Sequence, residues 1–187
     1  MSRLIPLRFT PEDADRAHAE WGCNCGPGAI AAICGLSLDE LRPHLGDFEA
    51  KRYTNPTLMW AILRSLGVDF SYRGGDLGRG SWPAYGLARI QWEGPWTAPG
   101  VPMRARYRYT HWVGVCTAAP GKPRGAEGGT PDIGIWDINA LANRTGWCAL
   151  ADWEQGIVPH ILEACVPRAS GDWHITHSVE VNAGSRS

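Results

Sequence analysis

Cys25 lies in the stretch Gly22-Cys23-Asn24-Cys25-Gly26-Pro27-Gly28, which runs directly into Ala29-Ile30-Ala31-Ala32-Ile33. Glycine permits a sharp turn into a helix, and proline is tolerated in a first helical turn, where its missing N–H is not needed. The small and aliphatic residues that follow predict a slim, apolar helix ending near Gly35. A thiol at the N-terminus of such a helix meets the macrodipole and unpaired N–H groups, both of which favour thiolate over thiol. Chemistry that needs a nucleophile near neutral pH is served by that placement. The competing reading is a buried core cysteine, because cysteine is often buried.

A thiolate nucleophile needs a base, and residues 107–116, Tyr-Arg-Tyr-Thr-His-Trp-Val-Gly-Val-Cys, offer His111 in a run rich in aromatic and β-branched residues. Period-two alternation sets Tyr107, Tyr109, His111, Val113 and Val115 on one face, and Arg104, Arg106, Arg108, Thr110 and Trp112 on the other. His111 thus falls on the more apolar, inward face, where an imidazole must have a polar partner. The run 132–139, Asp-Ile-Gly-Ile-Trp-Asp-Ile-Asn, supplies candidates, and the Gly/Pro-rich segment 117–131 between the runs reads as a long hairpin loop. An antiparallel register with His111 opposite Asp137 centres that hairpin on Arg124. It also pairs Trp112 with Trp136, Val113 with Ile135 and Val115 with Ile133, matched as cross-strand neighbours tend to be. Asp137 and Asn139 share a strand face, and Asp137 is the favoured orienter because a carboxylate stabilises an imidazolium.

Cys25, His111 and Asp137 in that order can act as nucleophile, base and orienter of a thiol acyl-transfer site. The Cys-Gly-Pro opening of a small-residue helix, the distant His-aromatic-Val strand and the later strand with Asp resemble the papain-like cysteine peptidases. They are most similar to the bacteriocin-processing type and its bacterial and phage relatives. The resemblance spans residues 25–139. It implies a single α+β domain over residues 1–181, with the nucleophile on a central helix packed against a C-terminal antiparallel sheet. It also implies hydrolysis of a peptide or amide through a thioester, with Cys25 as nucleophile, His111 as base and acid, and Asp137 as orienter.

The chain departs from that pattern in one respect. Such families place a glutamine about half a dozen residues before the cysteine, where its amide helps to bind the oxyanion. Here Arg16, Ala17, His18, Ala19, Glu20 and Trp21 precede Gly22, and no glutamine comes before Cys25. The candidates for that role are His18, the Trp21 indole, the Asn24 amide and the backbone. Trp21 as donor would suit a transglutaminase-like acyltransferase, which passes the acyl group to an amine. A binding module that kept the fold and lost turnover is the third alternative.

Composition narrows the field. The 187 residues suit one domain, and a formal charge of −1 gives no hint of a nucleic-acid or acidic-membrane partner. Residues 1–20 contain no signal-peptide h-region, and no apolar run is long enough to span a bilayer, so a cytoplasmic location with six free thiols is expected. No cofactor is implied. Cys23, Cys25 and Cys34 lack zinc-site spacing. His174 and His177 lie three apart in a strand-like run and face opposite sides, so no metal site is read there either. Arg104, Arg106 and Arg108 form a basic stripe, read as a solvated face or as the mark of an acidic substrate or partner.

The elements that must position these residues are readable in outline. A helix over 11–20 has Thr10 as N-cap and Pro11 in its first position, and a short one from Leu38 is capped by Ser37 with Glu40. A further helix runs from Pro56 to Leu66. Strands are predicted over 68–72, 86–92, 147–150, 161–166 and 173–181, with a helix over 152–157 and a frayed tail over 182–187. The loop 93–102, with Trp92 and Trp96, is read as a cleft wall. Helices first and an antiparallel sheet afterwards is an α+β layout.

Overall fold

The computed structural model describes residues 6–117, 133–143 and 145–182. Its first half is helical, and local side-chain chemistry sets the helix ends. In α1 (Pro11–Trp21), the Thr10 hydroxyl accepts from the Asp13 N–H and the Asp13 carboxylate accepts from the Thr10 N–H. Ser37 and Glu40 repeat the device for α3 (Leu38–Leu41), which Pro43 diverts into a 3-10 turn. Between them lies α2 (Cys25–Cys34), buried from Gly26 to its end and closed by Gly35 at φ 61°. A short α4 (Phe48–Lys51) follows, and then α5 (Pro56–Ser65), whose first turn is held by Asn55 Oδ1 accepting from the Leu58 N–H at 2.8 Å.

The second half builds a six-stranded antiparallel sheet from β1 (Phe70–Gly74), β2 (Tyr85–Trp92), β3 (Thr110–Cys116), β4 (Gly134–Trp136), β5 (Trp147–Ala149) and β6 (Trp173–Val181), in the order β1-β6-β2-β3-β4-β5. A short α6 (Met103–Arg106) precedes β3. After β5 a helical stretch runs as α7 (Leu150–Asp152), a π turn (Trp153–Ile157) and α8 (Val158–Cys165). The molecule is therefore a mixed helix and antiparallel-sheet fold, α+β in class.

Strand alternation divides the interior into two cores. Leu87, Trp112, Cys116, Trp136 and Val179 face α2 and the helices around it. Ala88, Ile90, Val113, Val115, Ile135 and Ile175 face the opposite way, onto Trp153 and the Val158 and Ile161 side of α8. Cover on both faces explains why every residue of β2 is buried. It also means that neither face of β3 is the outer one, whereas the sequence pattern assigned only His111's face to the interior.

Several expectations are corrected. The strand expected over 107–116 begins at Thr110, because α6 and the turn at Tyr107 take up the preceding residues; Arg104, Arg106 and Arg108 form no strand stripe. β4 is only three residues long, and Gly114, not Trp112, lies opposite Trp136, a displacement of two residues from the expected register. The physical reason is bulk: a Cβ on Gly114 would stand 3.1 Å from Trp136 Cβ and 3.2 Å from Ile33, so the indole needs glycine across from it. An even displacement preserves which side chains share a face. Residues 161–166, read as a strand, belong largely to α8, whose buried Val158 and Ile161 are spaced for a helix. The strand expected over 68–72 lies at Phe70–Gly74. Most of the predicted hairpin loop and residues 183–187 of the predicted tail lie outside the described residues. Among the described residues, no helix is long and apolar enough to cross a membrane.

Candidate active site

Cys25 is the first residue of α2, and its position is fixed by how closely that helix can approach its surroundings. A Cβ on Gly26 would clash with the Thr54 side chain, and one on Gly28 would lie 2.9 Å from the Trp136 ring. The two glycines therefore let the first turn of α2 sink between residue 54 and β4. The Asn24 amide does not cap the helix; its Nδ2 donates to the Ala14 carbonyl of α1 at 3.0 Å. Cys25 is partly exposed and borders a cleft of about 600 Å³, whose other walls include residues 52–56, Arg89 of β2, Tyr107, Arg108 and Thr110.

His111, at the start of β3 and 6% exposed, donates from Nε2 to Asp137 Oδ2 at 2.8 Å. Asp137 is fully buried at the end of β4, where the chain turns into a 3-10 helix (Ile138–Asn143). That turn folds Asn139 back, so that its backbone N–H and its Nδ2 each donate to Asp137 Oδ1 at 2.9 Å. From the π turn, the Trp153 indole N–H donates to Oδ2 at 2.7 Å. A buried carboxylate thus receives four N–H groups, as it must to remain charged. Trp92 lies roughly parallel to the His111 ring, centroids 6.2 Å apart, and Trp153 lies parallel to Trp92 at 6.1 Å.

With Nε2 committed to Asp137, Nδ1 is the nitrogen left for the Cys25 thiol. Burial pushes the Cys25 thiol up, but the hydrogen bond and charge of His111, with the Trp112 backbone N–H, outweigh it and hold Cys25 below the ordinary thiol range. Burial likewise opposes charge on His111; the charge and hydrogen bond of Asp137, together with Cys25, raise it well above the usual imidazole value. Asp137 is also opposed by burial, and His111, Trp153 and Asn139 hold it below the usual carboxylate range. These directions favour a thiolate–imidazolium pair at neutral pH. Cys23 behaves oppositely. Burial and the neighbouring Cys25 push it to about 11, and its Sγ donates to the Arg52 carbonyl.

The residues expected to do chemistry are only partly gathered here. Cys25, His111 and Asp137 are brought together, although β3 and β4 are out of the expected register, because His111 reaches Asp137 diagonally. Asn24 borders the cleft with its amide already engaged. His18 sits on the exposed side of α1, and Trp21 is buried against Phe48 with the Arg42 guanidinium over its ring. Neither of these two oxyanion candidates borders the cleft. Trp92 and Trp96 do not form a cleft wall: Trp92 underlies His111, and the Trp96 indole donates to the Trp92 carbonyl.

Among the described residues, no group of three His, Cys, Asp or Glu side chains could hold a metal ion. His174 donates from Nδ1 to Glu93, while His177 shares a hydrogen bond with Thr176 and borders the cleft. Sequence reasoning missed Trp153 and Arg89. Trp153 left no signal beyond being one of ten tryptophans. Arg89 did leave one, as the charged residue in the otherwise uncharged run Tyr-Gly-Leu-Ala-Arg-Ile-Gln-Trp. No family model, curated protein or solved structure matches the chain.

Proposed function

We propose that this chain is a cysteine-dependent hydrolase of a peptide or related amide, papain-like in fold and chemistry. The observation that carries the reading is the sequence of contacts from Cys25 at a helix start, through His111, to the buried, four-fold hydrogen-bonded Asp137. In this mechanism the Cys25 thiolate attacks the carbonyl carbon. The resulting oxyanion is met by backbone N–H groups at the start of α2, those of Cys25 and Gly26, which have no acceptor within the helix. His111 then gives its Nδ1 proton to the departing amine as the C–N bond breaks, leaving a thioester on Cys25. Water, deprotonated by His111, cleaves the thioester to release an acid and restore the thiolate–imidazolium pair. Asp137 keeps the ring oriented and stabilises its cationic form throughout.

Limiting iodoacetamide at mildly acidic pH, followed by mass-spectrometric mapping, tests this reading. Cys25 should be alkylated ahead of the other five cysteines. Uniform labelling, or Cys23 labelled first, would count against it. Transfer to an amine instead of water uses the same three residues, but the donor that would have favoured it, Trp21, is away from the cleft. Product analysis with and without added amine distinguishes the two outcomes.

A further inference from the structure

The cleft beside Cys25 contains a buried cation that the proposed mechanism leaves unused. Arg89 continues the Leu87 face of β2 beyond the edge of the core, to the point where the sheet meets the cleft. It is only 6% exposed. Its Nη2 donates to the Thr110 hydroxyl at 3.2 Å, its guanidinium lies 5.4 Å from the centre of the Tyr107 ring, and its Nε has no hydrogen-bond partner. None of the ion pairs among the described residues includes it. Burial pulls its pKa down to about 10, which leaves it charged at neutral pH. A buried guanidinium held by one hydroxyl and an aromatic face is short of an anion.

The surroundings do not supply one. Arg52 and Arg108 also border the cleft, and among the described residues no aspartate or glutamate does. His177, opposite Arg89 on β6, is held down to about 4 by burial and by Arg89 itself, so it is neutral. Besides the Tyr107 ring, the group that interacts electrostatically with Arg89 is Cys25, whose thiolate carries a negative charge. That charge disappears when the sulfur becomes a thioester.

On the reading of Cys25 as the nucleophile, we infer that the acyl group it accepts carries a carboxylate, bound by Arg89. Such a carboxylate replaces the lost thiolate charge in the acyl-enzyme and forms the charge-assisted, forked hydrogen bonds that guanidinium favours. It has two possible sources: an acidic side chain beside the scissile bond, or a free main-chain carboxylate when the scissile amide is on a side chain.

Two alkylating probes of nearly equal size isolate this charge. Iodoacetate and iodoacetamide both form an S–C bond to Cys25 with loss of iodide, and only the first brings a carboxylate. The ratio of their rates at Cys25 should fall about tenfold or more in Arg89→Met and less in Arg89→Lys, as expected for a lost charged hydrogen bond. Equal proportional changes with both probes would overturn the inference. Protection of the wild-type protein from iodoacetamide needs no variant to fold. N-acetylisoglutamine (side-chain carboxylate) or N-acetylglutamine (main-chain carboxylate) should protect Cys25 better than uncharged N-acetylglutaminamide, and the better of the two identifies the source. Equal protection by all three, or none by any, overturns the inference. Failure of iodoacetamide to select Cys25 in the wild-type protein would instead overturn the nucleophile reading.

Discussion

Asp137 carries the highest electrostatic demand of any residue at this site, since a fully buried carboxylate must be matched by donors or lose its charge. It receives N–H groups from His111, Trp153 and twice from Asn139. In Asp137→Asn an amide replaces one oxygen with a second donor, which would face N–H groups already pointing at it. The imidazolium then loses its counter-charge, the balance moves towards neutral thiol and imidazole, and thiolate forms only at higher pH. The acid limb of Cys25 alkylation by iodoacetamide should therefore move up by about one pH unit or more. Asn139→Ala removes one of the two Asn139 donors and leaves the charge, so its shift should be smaller. A shift in Asn139→Ala without one in Asp137→Asn would reverse the assignment of the orienting residue.

At the scale of elements, α2 and the two turns around Asp137 do most of the positioning. The first turn of α2 fits because Gly26 and Gly28 present no side chain to Thr54 and Trp136. Gly26→Ala should destabilise the fold by about 1–3 kcal/mol, the usual cost of overpacking, and should lower the thermal unfolding midpoint measured by circular dichroism. An unchanged midpoint would show that residue 54 yields freely. The helix at Cys25 was legible because Gly-Pro followed by small aliphatic residues has few other uses, and Thr10 and Ser37 announced helix starts through local chemistry. The 3-10 turn after Trp136 was not legible. Ile-Trp-Asp-Ile-Asn alternates like a strand, and it ends early where Asn139 and Ala140 fold back onto Asp137. The helical identity of residues 161–165 was hidden for a related reason: a short apolar run fits a strand or a helix until its packing partner is known.

Across the whole molecule, the central strands β2 and β3 are buried on both faces, and the cleft opens where the α2 layer ends against the sheet. Strand alternation indicated which residues share a face, and that survived a two-residue error in register. It could not show that the second face is also covered, because the Trp153–Cys165 stretch that covers it ends in a short apolar run that fits a strand as well as a helix. Charge was still less legible from totals. A chain with a formal charge of −1 places Arg52, Arg89 and Arg108 around one cleft, and only the fold brings residues so far apart in sequence to the same wall.

The most direct test of the thiolate–imidazolium pair is the pH dependence of Cys25 alkylation by iodoacetamide in the wild-type protein and in His111→Ala. His111 lowers the Cys25 thiol against the opposing effect of burial. In the wild-type protein, rapid alkylation should therefore persist below the ordinary thiol range. Without the imidazole, burial acts unopposed by His111, and the limb should move upward, with slow labelling at mildly acidic pH. Superimposable profiles for the two proteins would contradict the pairing on which the proposed chemistry depends.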